Sequence, residues 1–321
     1  MRADILVAGP NLAIDRTLST AELRPGGADT VVDEAVVTAG GKGVNVARAV
    51  GALGLRATLV GLLPGTFGRA VAAMLADEGI DVIGVPVAGE LRFASIILER
   101  GGRATVLNEP GPELSEDDWL AYEAATTGAI ADHGIVVCSG SLPPAARSDA
   151  YALVVAAARE RDRPVVVDAG GEVLLAALGE RPDVVCPNLA EAEGALNGAG
   201  AEAVTAPSDA RDRSAAVAAE LVRRGARAAI VTAASAGVAV ADRRGPEWIA
   251  APAVSVANPM GAGDALAAGL AVALAQGRDL RSAARLAVAA GSASVEHPRA
   301  GRLDPRRAAE LAGSLGISQY S

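Results

Sequence analysis

The sequence predicts a layered, doubly wound α/β domain: a mostly parallel central sheet covered by helices on both faces, with a small β-sheet lid. Short aliphatic and β-branched runs, apolar on both faces, recur along the 321 residues. Strands of a parallel sheet buried between helices read this way. Alanine-rich amphipathic stretches separate them, and strand–helix alternation is the pattern of α/β layers. Two stretches, about 15–38 and 87–111, break the rhythm with strand-like and turn-like residues and no clear helix.

Taken in order, the chain enters a strand at Ile5-Leu6-Val7-Ala8, then the first β-rich stretch, then a glycine turn opening a helix-like run at Lys42. A strand follows at Ala57-Thr58-Leu59-Val60-Gly61, a helix over 70–77 and the second β-rich stretch. The acidic run 113–118 reads as a helix start, with Ser115 as N-cap and Asp118 three residues later. Strands at Ile135-Val136-Val137-Cys138, Pro164-Val165-Val166-Val167 and Val184-Val185-Cys186 come next, with a helix over 145–161 between the first two. Segment 197–212 is the most loop-like and is expected to be mobile. A helix over 213–224, a strand at Ala229-Ile230-Val231-Thr232, and helices over 265–276 and 281–293 complete the series. With no internal repeat and no long linker, 1–321 reads as a single domain. The two β-rich stretches could pair into a lid over the strand ends, and a loop-rich edge of the main sheet fits the same pattern.

Composition excludes several function classes. Aromatic residues are 2% of the chain and the formal charge is −9, which leaves neither stacking platforms nor a basic surface for nucleic acid. A 51% hydrophobic content supports a large core. Cys138 and Cys186 lie in apolar strand-like runs, so no disulfide framework is expected and a reducing compartment is. The apolar helix 265–276 is too short to cross a bilayer, and the N-terminus enters a strand without a signal-peptide pattern. A cytoplasmic protein without membrane partners is the expectation.

Lys42 is the only lysine among 29 basic side chains. It sits in Ala39-Gly40-Gly41-Lys42-Gly43-Val44-Asn45, a turn whose glycines let backbone N–H groups approach an anion at a helix start. A compact ammonium and a planar guanidinium are not equivalent in a tight site. Alone, Lys42 also reads as a surface residue. Polar residues then gather where an open parallel sheet binds ligands, at the strand ends. These are Asn11 and Asp15, Ser139-Gly140-Ser141, Asp168, and Asn188 with Glu191. A second glycine turn, Asn258-Pro259-Met260-Gly261-Ala262-Gly263-Asp264, precedes the 265–276 helix. Its amides form an anion cradle at the positive helix end. By itself Asp264 reads as a capping aspartate. Beside a bound phosphate, a carboxylate is where phosphoryl transfer needs the base for the acceptor hydroxyl. His133 and His297 have no partner at nucleophile or metal spacing and read as structural, and Trp119 and Trp248 as packing residues.

These ordered motifs resemble the PfkB carbohydrate kinases of the ribokinase-like superfamily, above all the 1-phosphofructokinase and tagatose-6-phosphate kinase branch, over nearly the whole chain. Asn11-Leu12-Ala13-Ile14-Asp15, Gly40-Gly41-Lys42-Gly43 with Asn45, and Asn108-Glu109-Pro110-Gly111-Pro112 carry the likeness. So do Ser139-Gly140-Ser141-Leu142-Pro143, Pro187-Asn188 with Glu191, and Gly261 to Asp264. The resemblance implies a three-layer α/β/α kinase using ATP and Mg²⁺, with Asp264 as general base and Gly261, Ala262 and Gly263 holding phosphate charge. It implies sugar contacts from Asp15, Gly40, Gly41, Asn45 and Ser141, and phosphate contacts from Lys42 and Arg92. Nucleotide contacts would come from Asn188, Thr232, Gly237 and Asn258, and Mg²⁺ would be placed by Glu191 and Asn188 through water. It also implies a homodimer formed through the lid. The expected acceptor is a ketohexose phosphate. Rival readings are an unphosphorylated sugar or nucleoside, and a sugar- or nucleotide-binding protein without turnover. Departures from the family pattern bear on these rivals: Leu12 for Pro, Cys186 for Lys, Asp168-Ala169-Gly170-Gly171 for a hydroxyl-rich turn, Ala234 for Gly, and no basic residue from Pro25 to Thr30.

Overall fold

The computed structural model describes residues 4–24, 26, 30–198 and 207–320. Residues 199–206 of the segment 197–212, and 25 and 27–29 of the first β-rich stretch, lie outside the described residues, and 207–212, expected as loop, instead open the helix that runs to Arg223. The first half contains β1 (Ile5–Ala8), β2 (Ala13–Thr20), β3 (Glu34–Gly40), α1 (Lys42–Ala52), β4 (Ala57–Pro64), α2 (Gly65–Asp77) and β5 (Asp81–Val87). It continues through β6 (Arg92–Glu99), β7 (Ala104–Asn108), α3 (Glu116–Ala129), β8 (Ile135–Ser139), α4 (Ala150–Arg159) and β9 (Val165–Asp168). The second half holds α5 (Gly171–Gly179), β10 (Val184–Val185), α6 (Leu189–Asn197), α7 (Pro207–Arg223), β11 (Ala228–Thr232), β12 (Gly237–Asp242) and β13 (Gly245–Ala250). It ends with α8 (Ala262–Ala275), α9 (Leu280–Val295), α10 (Pro305–Ser314) and β14 (Ser318–Gln319).

Among the described residues, ten strands form one sheet in the order β14-β13-β12-β11-β10-β9-β8-β1-β4-β5. From β11 to β5 all pairings are parallel, and the β12–β14 edge is antiparallel. The central parallel strands β1, β8 and β9 are wholly buried, as their nearly unbroken apolar sequences require, while β5 at the edge is mostly part-exposed. The antiparallel edge was not read from the sequence, because Gly237 to Ala250 lacks clean alternation. The expected 145–161 helix is shorter: Ala145 takes a positive φ of 58° and α4 begins only at Ala150. Ser115 and Asp118 do form a reciprocal capping box on α3.

The two β-rich stretches pair across sequence into a separate four-stranded sheet, β3-β2-β6-β7. β2 runs antiparallel to β3 and parallel to β6, which places Asp15, Thr38 and Ala94 in one cross-strand row. The second stretch starts later than expected, because residues up to Val87 belong to β5 of the main sheet. One core lies under α1, α2 and α8–α10, the other under α3–α7, with Trp119 and Tyr122 edge-to-face in the second. Small residues let α8 and α9 approach closely. A Cβ on Gly269 would lie 2.8 Å from the Ala290 Cβ. No helix among the described residues is long and apolar enough to cross a membrane.

Candidate active site

After β1 the chain adds β4 and β5 on one side, then crosses to add β8–β11 on the other. That reversal opens a crevice at the carboxyl ends of β1 and β8, the position where open α/β sheets bind ligands. Asn11, just past β1, donates from Nδ2 to Ser141 Oγ, just past β8, at 3.1 Å. The crevice widens into a cavity of about 830 Å³ roofed by Asp15, Arg92, Ile96 and Asn108 of the small sheet and floored by the Met260–Asp264 turn.

Asp264 lies in the first turn of α8, 5% exposed, and accepts a hydrogen bond from Asn45 Nδ2 at 2.8 Å. Loss of hydration, reinforced by the charge of Asp168, pushes its carboxyl up to about 7, while Lys42 and the Asn45 hydrogen bond oppose the rise. A carboxylate poised there can exist as a base near neutral pH and gain a proton in the reaction. Asp15 is likewise raised to about 6 by burial, against the pull of Arg48 and Arg92. Gly40 explains its fixed position: a Cβ there would fall 2.0 Å from Asp15 Oδ1.

Two helices aim their N-termini at the cavity, and neither has a side-chain cap. α1 starts at Gly41 with φ 103°, and a Cβ at Gly41 would meet Asn11 O at 3.1 Å. α8 starts at Gly261 with φ 81°, against Gly301 N at 2.9 Å from a hypothetical Cβ. Free amides and aligned helix dipoles at both ends suit a polyanion. Lys42, first residue of α1, directs Nζ to Glu191 Oε1 at 3.4 Å and Asp168 Oδ2 at 3.9 Å. These carboxylates hold its ammonium firmly charged, Asp168 most strongly. Asp168 is buried, takes a hydrogen bond from Ser139 Oγ at 3.0 Å, and has its own carboxyl raised mainly by burial.

Asn188 caps α6 by accepting from Glu191 N at 2.8 Å, and Glu191 Oε2 accepts from Asn188 N at 3.1 Å. That reciprocal cap leaves Glu191 Oε1 facing the cavity. A carboxylate oxygen that faces the cavity and is held only by the Lys42 ammonium, at 3.4 Å, fits a mostly hydrated Mg²⁺. Asn188 fixes Glu191 through this cap, and Glu191 would be the residue to hold such an ion.

Thr232 and Gly237 line a second, largely apolar lobe of about 630 Å³ that meets the polar cavity at Thr232, Pro259, Ala262 and Gly263. The structure therefore brings together Asp15, Gly41, Lys42, Asn45, Arg92, Ser141, Asn188, Glu191, Thr232, Gly237, Gly261, Ala262, Gly263 and Asp264. It does not bring Asn258 in. That side chain is buried, donating to Pro298 O at 3.0 Å and accepting from Met260 N at 2.9 Å, so it braces the turn. Gly40 packs under Asp15 without lining the cavity. His133 bonds Ala129 O and His297 pairs with Arg299, both away from the cleft.

Sequence reasoning missed the support behind Asn45. Arg48 makes a two-pronged pair with Glu78 at 2.7 and 2.6 Å, and Arg302 reaches the same carboxylate at 3.0 Å. Gly301, next to Arg302, presses on Asn45, with 2.6 Å from a hypothetical Cβ to Asn45 Cα. No local signal marks residues that meet across more than 200 positions. Ala234 occupies φ 47°, a left-handed conformation natural to glycine, consistent with the glycine that the resemblance places there.

Known proteins resemble this chain in sequence and fold. The family model described as pfkB family carbohydrate kinase matches residues 4–307. A 1-phosphofructokinase of Rhodobacter capsulatus is 32% identical, covering 99% of this chain and 98% of the relative. The ATP-dependent 6-phosphofructokinase isozyme 2 of Escherichia coli is 31% identical, covering 80% of this chain and 81% of the relative. The crystal structure of phosphofructokinase-2 from Escherichia coli in complex with fructose-6-phosphate superposes with a TM-score of 0.83 at 27% identity, covering 97% and 98% of the two chains. With a family match that runs almost from end to end and a relative 32% identical over 99% of this chain, the protein belongs to the PfkB carbohydrate kinase family and is an ATP-dependent sugar kinase.

Proposed function

We propose that the protein transfers the γ-phosphoryl group of MgATP to a hydroxyl of a ketohexose phosphate, in the manner of a 1-phosphofructokinase or a tagatose-6-phosphate kinase. The observation that carries this reading is Arg92. It enters the cavity from the small sheet, holds Asn11 O through one terminal nitrogen at 3.2 Å, and leaves a buried Nε without a partner. A buried guanidinium donor left over in an acceptor cavity suits a phosphate, which accepts charge-assisted bonds from that fork. Relatives named 1-phosphofructokinase support the same substrate class.

In this mechanism Asp15, Asn45 and the Gly41 backbone hold sugar hydroxyls. Asp264 takes the proton of the acceptor hydroxyl as its oxygen attacks phosphorus. The amides of Gly261, Ala262 and Gly263 face the charge that spreads over the phosphoryl oxygens. Lys42 leaves its carboxylate partners for the phosphate chain. Mg²⁺, when bound through Glu191, offsets the charge of the triphosphate. The small sheet acts as a lid that excludes water. The cross-strand row Val37, Arg16, Ser95 and Leu107 lies on the sheet face opposite Asp15, with Val37 and Leu107 exposed. That face suits a homodimer formed lid to lid, and Val37→Asp should then lower the mass measured by light scattering to that of a monomer.

Two observations favour an unphosphorylated sugar or nucleoside as the second reading. No basic residue occurs from Pro25 to Thr30, and Asp15 and Glu109 flank Arg92 with negative charge. Steady-state ADP release with MgATP separates the readings over fructose 1-phosphate, fructose 6-phosphate, tagatose 6-phosphate, fructose, ribose and adenosine. Saturation by a phosphosugar alone, with Arg92→Ala raising its KM by tenfold or more, is expected. Turnover on a free sugar unaffected by Arg92→Ala would refute the phosphate role. Tight binding of an acceptor without ADP release would show that it is not the substrate.

A further inference from the structure

The apolar lobe of the cleft is walled by Val238, Val254, Leu266, Val288 and Val295, and Val256 stands at its mouth 63% exposed. A large apolar side chain left in water beside an empty apolar slot is a surface for a flat ring to cover. The polar side-chain atoms lining the lobe are all hydroxyls, those of Thr232, Ser235 and Ser292. A hydroxyl rotates and serves as donor or acceptor, so it suits a 6-amino and a 6-oxo purine alike. Asn258 is the nearby carboxamide that could read a base edge in a fixed sense, yet both ends of its amide are spent on Pro298 and Met260. Part of the backbone is already engaged, while the amides of Ala253, Val254 and Val256 point to no one base edge in preference to another. The amide of Ala251 is taken by Ala236 O at 3.3 Å, those of Ala257 and Asn258 by Val295 O, and Pro252 and Pro259 have none.

We infer that this lobe seats the base of the nucleotide by its ring faces alone, so that the protein accepts adenine, guanine and hypoxanthine nucleotides with similar affinity. The inference rests on the reading of this lobe as the nucleotide site. A site that directs buried polar groups at a substrate edge rejects an analogue lacking the partner by about 10⁴-fold or more, whereas an apolar wall discriminates only weakly. Among the described residues, no side chain of this lobe is left unpaired by exchanging one purine for another.

Isothermal titration of the full chain with MgADP, MgGDP and MgIDP tests this without any acceptor. Dissociation constants within about tenfold of one another are expected. A preference beyond that for one base overturns the inference while leaving nucleotide binding, and the kinase, intact. Failure of all three to bind overturns the inference together with the assignment of the lobe. Val256→Ala, on the exposed rim and outside the folding core, should weaken all three by a common factor of about fivefold, the scale of two lost methyl contacts. A loss confined to one base would overturn the inference, because it would show the lobe reading an edge.

Discussion

Asp264→Asn should make the protein more stable as it makes the enzyme nearly inactive. The substitution keeps the shape, and the introduced carboxamide can still accept from Asn45 Nδ2 through its oxygen. What it removes is a buried negative charge. Raising a carboxyl from 3.8 to about 7 corresponds, at roughly 1.4 kcal/mol per pH unit, to about 4 kcal/mol against the ionised form. Relaxation around Lys42 reduces this, so a gain on the order of 2–4 kcal/mol is expected in the variant. For 321 residues that is a rise in Tm of roughly 3–6 °C. The pH window follows from the direction of the shift. The unfolded chain ionises near 3.8 and the folded one near 7. The cost of the charge is absent below about pH 4, grows as pH rises to 7, and is constant above. Differential scanning calorimetry of both proteins at pH 8 and pH 5 should therefore show a Tm gap that narrows on acidification. Turnover should drop by about 10²-fold or more, the scale of a positioned base. Equal melting temperatures at pH 8 with turnover within threefold of wild type would refute both the burial argument and the base assignment.

Other outcomes follow from the same geometry. The wild-type kcat/KM should fall with a single ionisation as pH drops through about 7, since Asp264 acts only when deprotonated; a profile flat to pH 5 would remove it as the base. Lys42→Arg should cost at least about tenfold in turnover while moving Tm by about 1 °C or less, because the positive charge beside Asp168 and Glu191 is kept while the shape of the donor changes. Unchanged kinetics would make Lys42 a bystander. Arg48→Ala should cost about 1–2 kcal/mol in chemical denaturation, since Glu78 loses its two-pronged partner and keeps only Arg302, and Glu78→Ala in the same chain should recover part of it. Gly301→Ala places a methyl group on Asn45 Cα at a φ of 70° and should lower both stability and kcat, whereas Gly316→Ala, with open space around it, should change neither.

Much of the cleft could be read along the chain because its parts are short and local. A glycine turn opening a helix, as at Gly41 and Gly261, exposes amides by its own backbone geometry, whatever packs around it. Strand ends carrying Asn11, Ser141 and Asp168 are polar because a parallel sheet presents that edge to ligand. The unbroken apolar strands and the β-rich interruptions likewise separated the main sheet from the small one. Local pattern misled where a polar residue had two uses. Asn258 sits in the glycine turn yet spends its amide bracing it, and Asn188 with Glu191 is first a helix cap.

Sequence alone determined the layer order, the two anion cradles and the identity of the titratable groups. Only the tertiary structure decided how those groups behave. Burial set Asp264 and Asp15 near neutrality, the pairing of Lys42 with Asp168 and Glu191 fixed the charge balance, and the Arg48–Glu78–Arg302 cluster braced α1 from behind. Hydration and Coulomb energy depend on what lies within a few ångströms, and in this fold those neighbours come from as far as 224 residues away along the chain.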